Sequence, residues 1–304
     1  MARTRFPADR GLASRMVATM FLLGLLYVVF VAFLFALSSS AMVALLVAGG
    51  LLAVQYFASD RIALAAMGGK EVSPRQAPAL HGVVDRLCVL ADMRKPRVAI
   101  ADVDLPNAFA TGRNPDHAVV CVTTGLLRRL DEPELEAVLA HELSHVAHRD
   151  VAVMTVASFL GLAAGLVVRF AYYAGLFGGF GGRRDDRGGA PVVLVVMLTS
   201  AVVYAISFLL TRALSRYREL SADRAAATVT GRPSTLAAAL VKVSGEMSKI
   251  PTRDLRSAEP LNAFFFTPAL ANGFSLSSLF STHPPLQRRL EQLARIEAEM
   301  GSAP

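Results

Sequence analysis

DEPELEAVLAHELSHVAHRD, residues 131–150, is the stretch on which the reading of this chain turns. Asp131 stands at an N-cap position, Pro133 falls in the first turn, and Glu134 follows the Asp by three, a variant of the capping box. No further Pro and no Gly interrupts the run to Asp150. Leu135, Val138, Leu139, Leu143 and Val146 recur at helical spacing, which predicts a helix. His141 and His145 lie four apart on it, so both imidazoles project from one face and can reach one metal ion. Glu142 sits beside the first of them, where a carboxylate can take a proton from metal-bound water. His148 follows on roughly the same side. A third ligand so close along one helix would strain a tetrahedral site, so His148 reads as a residue behind the site or on the surface.

The surroundings of this helix are those of a membrane protein with a sizeable soluble part. Of 304 residues, 54% are hydrophobic and 18% charged, and no charge occurs in the 44 residues between Arg15 and Asp60. That length suits two spans of ~20 residues, near 16–37 and 41–58, with Ser38-Ser39-Ser40 as the turn. The run is too long for a cleaved signal peptide, and a second span follows directly. After the helix, residues 151–168 and 188–211 are again uncharged, separated by a Gly-rich loop, 178–189, that holds Arg183, Arg184, Asp185, Asp186 and Arg187. They predict a second, weaker hairpin, 151–176 and 191–211. Arg169 costs ~2.5–3.5 kcal/mol at a span centre, against ~0.3–0.6 returned by each Leu, Val or Phe, and near an end it can snorkel. Burial of this pair in a globular core is the alternative.

Four spans put both termini and the His-rich helix on one side. Near the span ends that side carries 12 Lys or Arg, and the other side carries 3. The positive-inside rule makes the former side cytoplasmic, with 1–15 a basic cytoplasmic tail. This asymmetry accounts for the net charge of +7, and no nucleic-acid partner is inferred from it. Cys88 and Cys121 would face a reducing compartment, so no disulfide framework is expected. Neither has a second Cys or His at ligand spacing.

The soluble domain is therefore discontinuous, 59–150 and 212–304. An amphipathic helix (77–90) precedes short β-branched runs at 97–103 and 117–123, with 107–111 as a further strand and 112–116 as a turn. The second half is helical: 212–228, then a helix capped by Ser234 and running to about Met247, then 285–300. Between them lies an apolar loop, 261–280, read as core packing or membrane contact rather than a substrate wall.

Two histidines do not close a zinc site, since a catalytic zinc commonly has three protein ligands and one water. Glu219 and Asp223 lie four apart on the helix 212–228, among small residues that let another helix approach. Glu219 as the ligand, with Asp223 behind it accepting a hydrogen bond from a ligand histidine, is the natural division. An exposed helix salted by Arg216, Arg218 and Arg224 is the alternative.

The chain resembles the HtpX-type membrane zinc metalloproteases, the family that also contains the CAAX prenyl endopeptidases and the OMA-type mitochondrial proteases. Four blocks carry the resemblance in order: Asn107-Ala108-Phe109-Ala110-Thr111-Gly112, His141-Glu142-Leu143-Ser144-His145, Glu219-Leu220-Ser221-Ala222-Asp223, and Ser281-Thr282-His283-Pro284-Pro285 with Arg288 and Arg289. It implies a mainly α membrane protein. About four transmembrane helices in two hairpins would accompany a cytoplasmic α+β domain of gluzincin type with a small sheet. It implies one Zn2+ held by His141, His145 and Glu219, with Glu142 as general base. His283 would hydrogen-bond the developing oxyanion, unless it only opens the last helix. Asn107 would lie on an edge strand where substrate backbone adds, unless it is only a turn residue. Family members cut membrane or misfolded proteins as endopeptidases at the cytoplasmic face, so the implied partners are protein substrates and the bilayer. A homo-oligomer or a membrane protease complex is compatible with this, as are a CAAX-type specificity and a silent scaffold braced by zinc.

Overall fold

The structure, a computed structural model, describes residues 6, 9–37, 49–50, 53, 56–150, 152–154, 157, 164–165, 189–248 and 283–301. The Gly-rich loop 178–188, the apolar loop 261–280, the turn at Ser38–Ser40 and most of 41–58 and 151–176 lie outside the described residues. The chain divides into two compact units: Met1–Leu12, Phe57–Ala152 and Ser215–Pro304 form the first, and Ala13–Tyr56 and Val153–Leu214 the second.

In chain order the elements are α1 (Arg10–Leu37), α2 (Ser59–Met67), β1 (Gly69–Glu71), α3 (Pro78–Ala91), β2 (Arg97–Ala101), β3 (Ala108–Thr111), β4 (Val119–Thr123), α4 (Thr124–Arg129), α5 (Glu132–Ala147), α6 (Gly189–Thr230), α7 (Pro233–Ser248) and α8 (Leu286–Gly301). The strands form one sheet in the order β1-β2-β4-β3. β2 runs parallel to β4, with Val98 opposite Val120, and β3 runs antiparallel, with Phe109 opposite Cys121. β4 reads VVCVT and is buried at all five positions, as befits a central strand covered on both faces. β3 is left at the edge. The turn after it needs Gly112: its φ is 126°, and a Cβ there would fall 2.4 Å from the His117 carbonyl oxygen.

β1 is a strand that the sequence reading omitted. Its Gly-Lys-Glu has no β-branched or apolar residue. It pairs antiparallel with β2, and Glu71 meets Arg97 of β2 in an ion pair.

α5 is the central helix of the first unit. Its capping box is complete: Asp131 Oδ1 accepts from the Glu134 N–H at 2.9 Å, and Glu134 Oε2 accepts from the Asp131 N–H at 3.0 Å. Every residue from Ala137 to Val146 is buried, so this helix packs on all sides and its charged groups must find partners inside the fold. It ends earlier than expected. His148 is the C-cap and Arg149 turns left-handed at φ 57°, so Asp150 leaves the helix axis.

Two helix boundaries also differ from expectation. The predicted span 191–211 and the predicted helix 212–228 are one helix, α6, of 42 residues. No Gly or Pro falls between Pro191 and Gly231, so the charge that begins at Arg212 marks a change of surroundings, not of backbone. Ser234 does not cap α7, which starts at Pro233. Its N–H and hydroxyl instead donate to Glu297 on α8, at 2.7 and 3.1 Å.

Among the described residues, two helical stretches are long and apolar enough to cross a membrane, Arg10–Phe33 and Leu194–Thr230. In the second unit they leave Val17, Phe21, Leu25, Val28, Leu194, Leu198 and Val202 exposed. In water such surface would be an aggregation liability, whereas lipid is a suitable solvent for it.

Candidate metal centre

The centre lies within the first unit, where α5 and α6 bring their polar residues together. His141 and His145, one helical turn apart, have ring centroids 4.9 Å apart and meet edge-on. Their Nε2 atoms both face Glu219: His141 Nε2 lies 3.6 Å from Oε2 and His145 Nε2 lies 3.6 Å from Oε1. These separations are too long for hydrogen bonds. Two ligand atoms each ~2.1 Å from a tetrahedral ion stand about 3.4 Å apart, so the spacing suits a shared cation. One ligand atom from each of the three residues lies within 4.8 Å of the others, and all three residues are buried.

The opposite ring nitrogens support the same fit. His141 Nδ1 lies 2.9 Å from Asp223 Oδ1, and His145 Nδ1 lies 2.7 Å from Asp150 Oδ2. A carboxylate accepting at Nδ1 fixes the tautomer that turns the Nε2 lone pair toward a metal. Two imidazoles and one carboxylate, each imidazole backed by an acid, form the donor set of a catalytic zinc.

Both backing acids are buried and each is matched by an arginine. Arg289 grips Asp223 with two bonds, Nε to Oδ2 at 2.7 Å and Nη2 to Oδ1 at 2.6 Å. Arg218 Nε lies 3.1 Å from Asp150 Oδ2. Burial pushes the Asp150 carboxyl up, but Arg218 and His145 outweigh it and hold the group below its ordinary value. Asp223 and Arg289 are 0% and 1% exposed. Removing one partner of such a pair strands a buried charge at a cost of ~3–5 kcal/mol. Arg289→Ala should therefore lower the midpoint of thermal unfolding sharply, and an unchanged midpoint would show that the pair contributes no net stability.

Glu142 lies next to the cluster and is itself buried. Its Oε2 accepts a hydrogen bond from the Ala110 N–H of edge strand β3 at 3.0 Å. Burial pushes its carboxyl up, and His141 and His145 only partly offset this. His283, three residues before Leu286 opens α8 and parted from it by Pro284 and Pro285, brings Nδ1 to 3.0 Å from Glu219 Oε2.

Asn107 immediately precedes edge strand β3, with its backbone bonded to β4: its N–H donates to Thr123 Oγ1 and its carbonyl accepts from the Thr123 N–H, each at 2.9 Å. Asn107 is buried. His148 is not in the cluster; it caps α5, and its ring meets that of Phe6 at 6.5 Å. The two cysteines are buried elsewhere in the core, their thiols pushed up to about 11 (Cys88) and about 12 (Cys121) by burial, so neither offers a thiolate.

Sequence reasoning missed Asp150, Arg218 and the role of Arg289. Asp150 carried a signal: it is the last charge before an uncharged run of 18 residues, five positions after His145. Arg218 reads as a surface charge until α6 is seen to turn it toward Asp150. Arg289 meets Asp223 from 66 residues away in sequence, and no local pattern announces that.

Residues 74–297 match the profile of a family described as Peptidase family M48. The chain is 61% identical over 302 residues to Protease HtpX homolog 1 of Streptomyces coelicolor, which covers 99% of this chain and 98% of that one. It is 55% identical over 299 residues to the Protease HtpX homolog of Moorella thermoacetica, covering 98% of each. Among solved structures, the crystal structure of S. mikatae Ste24p superposes with a TM-score of 0.51 at 19% identity, over 89% of this chain. The chain spans 62% of that structure, and the likeness concerns the fold.

Proposed function

Because the chain belongs to peptidase family M48 and is a membrane zinc metalloprotease of the HtpX type, we propose that it is an endopeptidase of protein quality control, cleaving membrane or misfolded proteins at the cytoplasmic face of the cell membrane. One observation carries this reading: His141, His145 and Glu219 converge on one point with Glu142 beside them.

In the proposed mechanism His141, His145 and Glu219 hold Zn2+. Zinc would act there as a Lewis acid, lowering the pKa of water toward ~7 and polarising the scissile carbonyl. Glu142 accepts the proton of the attacking water and returns it to the leaving amine. His283 donates a hydrogen bond to the oxyanion that develops on the carbonyl. Asp223 and Asp150 keep the two histidines in the ligating orientation, and Arg289 and Arg218 keep those acids ionised. Substrate backbone adds to the open edge of β3 beside Asn107. Ala110, whose N–H donates to Glu142 Oε2, belongs to that strand, so an added strand would run past the base.

The proposed topology has four spans, 16–37, 41–58, 151–176 and 191–211, with both termini and the zinc site cytoplasmic. Reporter fusions within 178–189 should read as extracytoplasmic, and a cytoplasmic reading there would refute it. Asp150→Ala is expected to weaken zinc binding roughly 10–100-fold, measured by competition with a chromophoric chelator. Wild-type affinity in that variant would detach Asp150 from the centre. The function itself is tested by substrate trapping in cells with Glu142→Gln: membrane or misfolded proteins should accumulate on the variant, and their absence among the trapped partners would count against the quality-control role.

A further inference from the structure

The N-terminal residues do more than lead into α1. Phe6 and Leu12 are buried, and Phe6 belongs to the main core of the first unit. Asp9 caps α1 with one carboxylate oxygen, Oδ1 accepting from the Leu12 N–H at 2.7 Å. Its other oxygen, Oδ2, accepts from the Ser221 hydroxyl on α6, also at 2.7 Å. A single side chain thus joins the start of one helix to the helix that carries Glu219. Tyr217, one turn before Ser221 on the same face of α6, closes over Gly11: a Cβ there would fall 2.5 Å from the tyrosine hydroxyl.

The direction of these contacts matters. Residues two apart on a helix do not face the same way, so Ser221 grips the back of α6 while Glu219 faces the histidines. Phe6 lies against His148, the C-cap of the helix that carries His141 and His145. The same few residues therefore touch both metal-site helices, α6 on the face opposite Glu219 and α5 at its C-cap. They lie outside the stretch 74–297 that matches the family profile.

We propose that Phe6 and Asp9–Leu12 form a strap that sets the position of α6 against α5, with Asp9 as its positioning residue acting on Glu219 through Ser221. Since α1 is apolar and long enough to cross a membrane, the strap also ties the zinc site to the first turn of a membrane helix. The inference rests on the zinc-protease reading.

The test uses the full chain in detergent, loaded with zinc and then exposed to a chromophoric chelator. Ser221→Ala removes one hydroxyl and little else, and Asp9→Ala removes both bonds of the carboxylate. Each should release zinc faster, by roughly tenfold, the low end of what losing a ligand's supporting partners costs. The double variant should release it no faster than Asp9→Ala alone. Asp9→Asn, which keeps an oxygen for the cap and can donate its amide N–H to Ser221 Oγ, should recover most of the wild-type rate. The visible spectrum of the cobalt-loaded protein should shift in Ser221→Ala, because the angle of the Glu219 carboxylate changes. Release rates and cobalt spectra indistinguishable from wild type in both Ser221→Ala and Asp9→Ala would overturn the strap alone. A wild-type chain that takes up no zinc would overturn the strap and the protease reading together.

Discussion

Glu142→Gln is expected to lower the turnover of an unfolded protein substrate by a factor of about 10²–10⁴, the range in which a positioned general base contributes, while zinc content stays at the wild-type level. The separation of the two readouts follows from geometry. Glu142 is not one of the three residues whose ligand atoms cluster, so removing its charge leaves the donor set intact. Its Oε2 accepts from the Ala110 N–H, and the amide oxygen of Gln can accept the same bond. The side chain should therefore keep its place and lose its capacity to take a proton. Burial and a raised pKa make this carboxylate a better proton acceptor than a solvated one. Full activity in the variant would remove Glu142 from the chemistry, and loss of zinc would recast it as a structural residue.

His141→Ala and Glu219→Ala should behave differently, losing zinc and cleavage together. Three protein ligands leave little redundancy, and each of these residues supports more than itself. Without His141, Asp223 loses the ring nitrogen 2.9 Å away and keeps only Arg289 as its described charge partner. Without Glu219, both Nε2 atoms lose the carboxylate that faces them, and His283 loses the carboxylate oxygen 3.0 Å from its Nδ1. Metal analysis of the purified variants, compared with wild type and Glu142→Gln, reads the difference directly. Retention of stoichiometric zinc by Glu219→Ala would mean that the third ligand lies elsewhere. Ligand variants on two helices, set against Glu142→Gln, thus separate holding the metal from using it.

How much of this was legible in the sequence depended on the range of the interaction involved. α5 is written locally: its capping box, its Pro and its apolar spacing occupy 16 consecutive residues, and its histidines follow from helical geometry. Likewise β2 and β4 carry β-branched runs, and the turn before β4 carries its glycine. The family was legible as well: four short blocks in order pointed to it, and the M48 match and the HtpX relatives bear it out. β1 was not legible, since Gly-Lys-Glu has no strand propensity of its own and forms where β2 offers an edge. The length of α6 was hidden by a change in composition at Arg212 that suggested a boundary the backbone does not make. The arginines that neutralise Asp150 and Asp223 were hidden for a third reason. A buried ion pair between distant segments leaves no periodicity, and Arg218 and Arg289 look like ordinary surface charges until the fold closes around them. The contact of Asp9 with Ser221, across 212 positions, belongs to the same class.

The most direct test of the central claim is cleavage of an unfolded protein by the purified full chain, followed through removal and return of zinc. Activity should disappear when a chelator strips the metal, and should return with about one equivalent of Zn2+ per chain, the stoichiometry of a single three-ligand site. Glu142→Gln prepared in parallel should bind that equivalent without regaining cleavage. Proteolysis that persists after the zinc has been removed would contradict the account.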